Sequence, residues 1–164
     1  MPAYYEGASL LRCTTPRYGD TGVVQVTLIN TDAAYEQVAL FEYARTVTVV
    51  NLDPLLGPSR GGTRVTVEGH HYAPAMGAFC RFGDALVTAV FISSNRLWCD
   101  APRLSVGFHA VQVTLNNQNF VDDGLAFDVY APPAITAAEP ASGPELGGTL
   151  VSLLGERFYS RAAQ

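Results

Sequence analysis

Short stretches of alternating apolar and polar residues recur along the chain. Thr63, Val65 and Val67 fall on one side of an extended segment, and Arg64, Thr66 and Glu68 on the other. Val111, Val113 and Leu115 alternate with Gln112 and Thr114 in the same way. A period of two sends successive side chains to opposite faces of a strand, leaving one face to bury and one to wet. Through the middle of the chain the pattern predicts strands over 47–52, 63–68, 78–82, 85–92, 96–100, 109–115 and 125–129. Turn-forming residues separate them: Gly57-Pro58, Gly61-Gly62, Gly69, Gly83-Asp84, Ser93-Ser94-Asn95, Gly107 and Asp122-Asp123-Gly124. No long stretch carries a helical period. Seven short strands of this kind predict an all-β, immunoglobulin-like β-sandwich.

The pattern also repeats. "LLRCTTP" at 10–16 matches "RLWCDAP" at 96–102, which lays Cys13 on Cys99 and Pro16 on Pro102, 86 residues apart. "VVQVTLIN" at 23–30 matches "AVQVTLNN" at 110–117, and "FEY" at 41–43 answers "FDVY" at 127–130. "DPLLGPSRGGTRVTVEG" at 53–69 returns as "EPASGPELGGTLVSLLG" at 139–155, again 86 residues on. Order and spacing held over four blocks indicate duplication. The expected organisation is the second half of one module over 1–45, a complete module over 46–131 and the opening of a third over 132–164. On that reading the chain is a piece of a longer array.

Composition narrows the function classes. The chain has 164 residues, of which 48% are hydrophobic and 15% charged, with a formal net charge of −5. That is a folding composition rather than a disordered one. The negative balance gives no electrostatic footprint for nucleic acid or anionic lipid. The apolar runs fall well short of the roughly 20 residues a membrane helix needs. The opening "MPAYYEGASLLRC" lacks the basic and apolar regions of a signal peptide.

The glycine-rich "GPSRGGTRVTVEG" at 57–69 could be a phosphate loop or a structural bend. A phosphate loop needs a lysine and a hydroxyl residue closing the glycines, with a helix after them. Here Gly62 leads through Thr63 and Arg64 into alternating valines, and in the repeat Ser59, Arg60 and Arg64 become Glu145, Leu146 and Leu150. Gly57, Pro58, Gly61, Gly62 and Gly69 are therefore expected to be structural turn residues.

There are three cysteines, an odd set. Cys80 and Cys99 sit on two predicted strands and can form a disulfide, worth roughly 3 kcal/mol by chain entropy and suited to an oxidising compartment. The rival reading is two buried thiols in a reducing one. Cys13 is left unpaired within the chain, since its partner by the repeat falls before residue 1. No CxxC spacing supports a metal site. His70 and His71 are adjacent and read as loop residues, and His109 as a half-exposed sheet residue. Asp53, Asp84 and Asp100 sit at turns or strand ends, and Asp122-Asp123 lacks the spacing of a calcium loop. No catalytic, cofactor-binding or metal-binding residue is assigned.

Trp98 alternates out of phase with Leu97 and Cys99, so it packs on the far side of its sheet or lies in a contact between modules or chains. Tyr18, Tyr35, Tyr72 and Tyr159 fall near predicted turns or loop edges. Trp98 and Tyr72 are the candidate contact aromatics. No Asn-x-Ser/Thr sequon occurs.

Together the blocks resemble the IPT/TIG family of immunoglobulin-like modules. The resemblance rests on Pro54, Gly57, Pro58, Gly61, Gly62, Thr63, Val65 and Gly69, then on Cys80, Phe82, Gly83, Cys99, Pro102, Val111, Val113, Phe127 and Tyr130. Pro140, Gly143, Pro144, Gly147, Gly148, Thr149 and Gly155 repeat the opening, while Cys13, Pro16, Val24, Val26, Phe41 and Tyr43 repeat the end. The resemblance implies a module with no catalytic chemistry and no cofactor. Such modules occur in tandem in cell-surface and extracellular proteins, singly in DNA-binding transcription factors, and as accessory domains of some carbohydrate-active enzymes. The expectation is a non-catalytic structural or adhesive segment, extracellular or at the cell surface, a surface appendage or coat included. Its partners are neighbouring modules and other protein chains, without nucleic acid or direct membrane insertion. Short junctions, stiffened at Ala131-Pro132-Pro133, suit a rod or fibre. Alternatives are a carbohydrate-binding or accessory module, which an outward platform of Trp98 and a tyrosine would favour, a receptor ectodomain, and a transcription-factor dimerisation module.

Overall fold

The computed structural model describes residues 2–29, 36–75 and 77–158. The chain divides into two compact units, Met1–Thr46 and Val47–Gln164. All regular structure among the described residues is β. In the first unit β1 (Tyr4–Gly7) pairs with β2 (Leu10–Arg12), and β3 (Gly22–Ile29) with β4 (Glu36–Tyr43), both antiparallel.

The second unit runs through β5 (Thr48–Asp53), β6 (Leu56–Pro58), β7 (Arg64–His70), β8 (Phe79–Phe82), β9 (Ala85–Thr88), β10 (Val90–Ser93), β11 (Arg96–Asp100), β12 (Gly107–Thr114) and β13 (Ala126–Tyr130). It ends in a hairpin of β14 (Ala134–Glu139) and β15 (Ser152–Glu156). Residues 47–130 form two sheets, one ordered β10-β11-β7-β5 and one ordered β6-β13-β12-β8-β9. Between them lies a single core, an arrangement consistent with an immunoglobulin-like β-sandwich. Val65, Val67, Leu97 and Cys99 line it from the first sheet. Cys80, Phe82, Val111, Val113 and Phe127 line it from the second. Period-two alternation selects these residues, and none is more than 1% exposed. Phe82 and Phe127 meet edge to face with ring centroids 5.5 Å apart, a favoured aromatic geometry.

Three turn or strand assignments need correction. Gly57 is not a turn residue: with Leu56 and Pro58 it forms a short parallel strand against β13, and the turn opens only at Pro58, whose carbonyl accepts the Gly61 N–H at 2.9 Å. A Cβ on Gly57 would lie 2.5 Å from Thr63 Oγ1 and 2.7 Å from Phe127 Cζ, so close packing requires the glycine. Gly69 likewise lies within β7, opposite Val49, and a Cβ there would collide with the Thr48 carbonyl oxygen and the Tyr72 hydroxyl. The run over 85–92 is divided at Ala89, which is 8% exposed and donates its N–H to the Ala78 carbonyl. Its first half joins the five-stranded sheet and its second the four-stranded one, since a strand that turns a sandwich corner changes sheets. The bend of the glycine-rich stretch sits at Gly61 and Gly62, whose φ values are 78° and 84°.

The flanking hairpins copy the module's registers. Ala134↔Glu156 and Ala138↔Leu153 reproduce Thr48↔His70 and Leu52↔Val67, with the bulge between Ile135 and Ala137 in place of that between Val49 and Asn51. Gly147 and Gly148 carry the φ values of Gly61 and Gly62. Tyr4↔Arg12 and Tyr5↔Leu11 reproduce Val90↔Trp98 and Phe91↔Leu97.

Candidate functional site

Cys80 on β8 and Cys99 on β11 are joined by a disulfide with a Cα–Cα distance of 6.3 Å. Both are 0% exposed, and the bond ties the two sheets together through the centre of the core. Cys13 is a free, exposed thiol.

Trp98 lies on the outer face of the four-stranded sheet, half-buried, between Thr66 of β7 and Val90 of β10. The Arg64 guanidinium carbon stands 3.7 Å from the ring centroid, and Arg64 Nε reaches Asp100 at 3.2 Å. Farther along the same face Arg96 pairs with Glu68 at 2.9 Å, and Asn51 Nδ2 donates to Glu68 at 3.4 Å. These cross-strand pairs follow from the register, which sets Asp100 against Arg64 and Arg96 against Glu68. Arg64 covers one face of the indole, and among the described residues no tyrosine stands beside Trp98 in the register to build an open aromatic platform with it.

Tyr72, the other candidate contact aromatic, is a core residue at 3% exposure and presents no contact surface. Its backbone N–H donates to the Ser94 carbonyl, and the ring packs where Gly69 leaves room. Burial, with the Asp123 carboxylate behind it, holds the phenol well above the usual tyrosine value. Its hydroxyl has no hydrogen-bond partner among the described residues. Tyr18 is exposed and stacks on Tyr43 at 4.8 Å. Tyr35 and Tyr159 lie outside the described residues.

The remaining titratable residues do not converge. His70 closes β7 with Nδ1 3.1 Å from Asn95 Nδ2, His71 follows at φ 65°, and His109 Nε2 lies 2.8 Å from the Ser105 carbonyl. Asp53 ends β5, and Asp84 lies in the turn between β8 and β9. Asp123 accepts from the Val49 N–H and pins the loop after β12 to the edge of β5. Among the described residues no group of three or more His, Cys, Asp or Glu is placed to hold a metal ion. No helix there is long and apolar enough to cross a membrane.

One cluster escaped the sequence reading. Arg81 on β8 packs 4.1 Å over the Phe120 ring and donates through Nε to Gln112 Oε1 at 2.8 Å. Gln112 Nε2 in turn donates to Asp122 Oδ2 at 2.6 Å. That bond, followed by the Gly124 N–H, holds the exposed Asp122 carboxyl below its usual range. The signal was the outward phase of Arg81 and Gln112, but only the β8–β12 register makes them neighbours.

In the first unit an open groove of about 760 Å³ is lined by Leu11, Cys13, Val24, Val26, Phe41 and Tyr43, among others. It lies between two apolar hairpin faces, and Tyr43 is fixed there by a 3.0 Å bond from its hydroxyl to the Pro16 carbonyl.

Residues 47–129 match the family model described as the IPT/TIG domain. The chain is 28% identical over 109 residues to mouse Plexin-A2, covering 66% of this chain and 6% of that protein. It is 26% identical over 157 residues to Plexin-2 of Caenorhabditis briggsae, covering 94% of this chain and 9% of the relative. Against mouse Fibrocystin the values are 25% over 165 residues, 94% and 4%. The chain thus spans less than a tenth of the length of these curated relatives. Its fold is similar to the full extracellular region of Plexin A4, with a TM-score of 0.54 at 23% identity over 76% of this chain and 11% of that one. With its complete sandwich matched end to end, the chain belongs to the IPT/TIG domain family.

Proposed function

From membership of the IPT/TIG family, we propose that this chain is a segment of a tandem array that acts as a non-catalytic scaffold outside the cell. Its contacts are with neighbouring modules of the same polypeptide and with other protein chains. Residues 1–45 carry the second half of one module, 46–131 a complete module and 132–164 the opening of a third.

The observation that carries this reading is the recurrence of the module's own registers on both sides of it, bulges included. A fully buried disulfide suits an oxidising compartment, and the solved relative is an extracellular region. The short junction at Ala131-Pro132-Pro133 favours a stiff rod over a flexible tether. Arg64 lying over Trp98 weighs against sugar stacking on that ring.

The test is the longer polypeptide. Its sequence is expected to carry a cysteine about 19 residues before Cys13 and another near position 166, the counterparts of Cys80 by the repeat. Peptide mapping of the secreted protein without reductant is expected to pair the first with Cys13. A parent polypeptide lacking both cysteines, or carrying all of these thiols reduced, overturns the tandem extracellular reading.

A further inference from the structure

One flank of the complete module is an edge without charge. β9 and β10 are the outermost strands of the two sheets, and with Ala89 between them they run as "ALVTAVFIS" over 85–93. That stretch holds no charged residue, proline or glycine. Leu86, Val90, Phe91 and Ile92 are 45%, 39%, 38% and 51% exposed. An exposed sheet edge is a template for a further strand, and proteins ordinarily blunt it with charge, proline or a covering loop. The module's other two edges are treated that way. Asp123 accepts the Val49 N–H at the edge of β5, and β6 is three residues long and ends in Pro58. β10 carries only a bulge, whose extra residue, Ile92, is apolar. The corresponding strand of the first unit has the same bulge with Glu6 at that position, paired with Arg12. By the repeat, the counterparts of that ion pair in the complete module are Ile92 and Trp98.

We propose that β10 is a homotypic docking edge, to which β10 of a second copy of this chain adds antiparallel across a twofold axis. Two observations select a second copy. Both covalent links to neighbouring segments leave from the other flank. β5, where the chain enters the module, is the opposite edge of the four-stranded sheet, three strand spacings or roughly 14 Å from β10. β13, where it leaves, stands three spacings from β9. This preference for a separate chain over a neighbouring module rests on the tandem reading above. The second observation is neutrality. A strand paired with its own copy about a twofold axis meets its own residues, so a charge on it faces a like charge. β10 carries none, and it matches a partner edge that is equally apolar and uncharged. The contact is isologous and closes at two copies. A four-residue edge buries far less than the roughly 800 Å² per partner of a standard interface, so the pairing of one module is weak and reversible.

Sedimentation equilibrium of the 164-residue chain from about 10 μM to about 1 mM tests this. The average mass is expected to rise with concentration toward that of a dimer. In any register that pairs at least three residues of β10, Ile92 faces Val90, Phe91 or Ile92 of the other copy. Ile92→Glu and Ile92→Lys, which set like charges close together, are therefore each expected to weaken association by roughly tenfold or more. Mixing the two variants is expected to restore pairing, between unlike copies only. Ile92 is half exposed, so both variants are expected to keep the parent's Tm.

Amide exchange in the parent chain needs no variant. The amides of 90–93 are expected to slow as concentration rises, because strand addition takes up backbone groups that a side-chain contact leaves free. A chain that stays monomeric at about 1 mM overturns the proposal. So does an association that Ile92→Glu leaves intact, or one in which the 90–93 amides gain no protection. The flanking cysteines of the parent polypeptide decide the tandem reading separately, so the docking edge can fail while that reading stands.

Discussion

Gly57→Ala separates two explanations of the glycine-rich stretch. A turn glycine is needed for its backbone angle, and alanine there strains φ wherever its side chain points. Gly57 instead lies in β6 and has no positive φ. The added methyl would stand 2.5 Å from Thr63 Oγ1 and 2.7 Å from Phe127 Cζ. Ordinary carbon contacts lie at about 3.5–4.0 Å, so the neighbours must retreat by roughly 1 Å in a close-packed core. Overpacking of this kind costs about 1–3 kcal/mol, offset by about 0.5–1 kcal/mol of unfolded-chain entropy that alanine removes. The expected net loss is about 1–2 kcal/mol, a fall of roughly 5–15 °C in Tm for a module of this size. Trp98 is the only tryptophan, so fluorescence-detected unfolding reads the complete module alone. Thr63→Ala deletes one of the two clashing atoms, and the double variant is expected to be more stable than the sum of the single changes allows. A Gly57→Ala protein within about 0.5 kcal/mol of the parent, or strict additivity with Thr63→Ala, would refute the packing argument.

Three further outcomes are expected. Replacing Cys80 and Cys99 together by alanine should cost about 3 kcal/mol of chain entropy, read as a drop of roughly 10–20 °C in Tm; an unchanged Tm contradicts the bond's role as a tie between sheets. Arg64→Ala should cost about 0.5–1 kcal/mol and shift Trp98 emission to the red, and an unmoved spectrum would mean that the guanidinium does not cover the indole in solution. Tyr72→Phe removes a buried hydroxyl without a partner and should leave stability at neutral pH equal or higher. Burial holds the phenol's folded-state pKa above the usual 10.0, so above that pH the unfolded chain loses the proton that the folded one keeps, and stability declines as pH rises past it. Urea midpoints at neutral and strongly alkaline pH should therefore fall further for the parent than for Tyr72→Phe.

The sandwich was legible because its core obeys a strict period of two: Val65, Val67, Val111 and Val113 were readable as inward-facing and are fully buried. What the sequence could not disclose is what depends on partners far along the chain. Gly57 reads as a turn beside Pro58, and only the parallel pairing with β13 and the approach of Phe127 explain it. Tyr72 follows two histidines and a glycine and reads as a loop aromatic. It is buried because Gly69, in the neighbouring strand, has no side chain to exclude it. The Arg81–Gln112–Asp122 chain needed the β8–β12 register and a loop folded back over the sheet, and local alternation encodes neither.

The repeats within the chain separate positions that are held from positions that vary. Positions that build the sandwich recur in kind: Val65 and Val151, Val111 and Val24, Gly61-Gly62 and Gly147-Gly148. Positions on the outer face of the four-stranded sheet do not. Arg64, whose guanidinium covers Trp98, is replaced by Leu150, which is 90% exposed, and Trp98 itself is replaced by Arg12, which pairs with Glu6 at 2.9 Å. In the turn before β7, Arg60 likewise gives way to Leu146, at 93% exposure. Core positions are bound by packing, since a change of even one methylene in a close-packed interior is felt. Outer-face positions are free of that constraint and can diverge from module to module. In the tandem array proposed above, such divergence would keep one mechanical unit while presenting a different outer face at each module, and would put partner choice in the face rather than in the fold. Exchanging Arg64 and Trp98 for their counterparts Leu and Arg should leave the complete module's unfolding free energy within about 1 kcal/mol of the parent, after allowing for the lost cation–π contact. A collapse of the module on that exchange would show the outer face to be structural, and the division between scaffold and contact surface would fail.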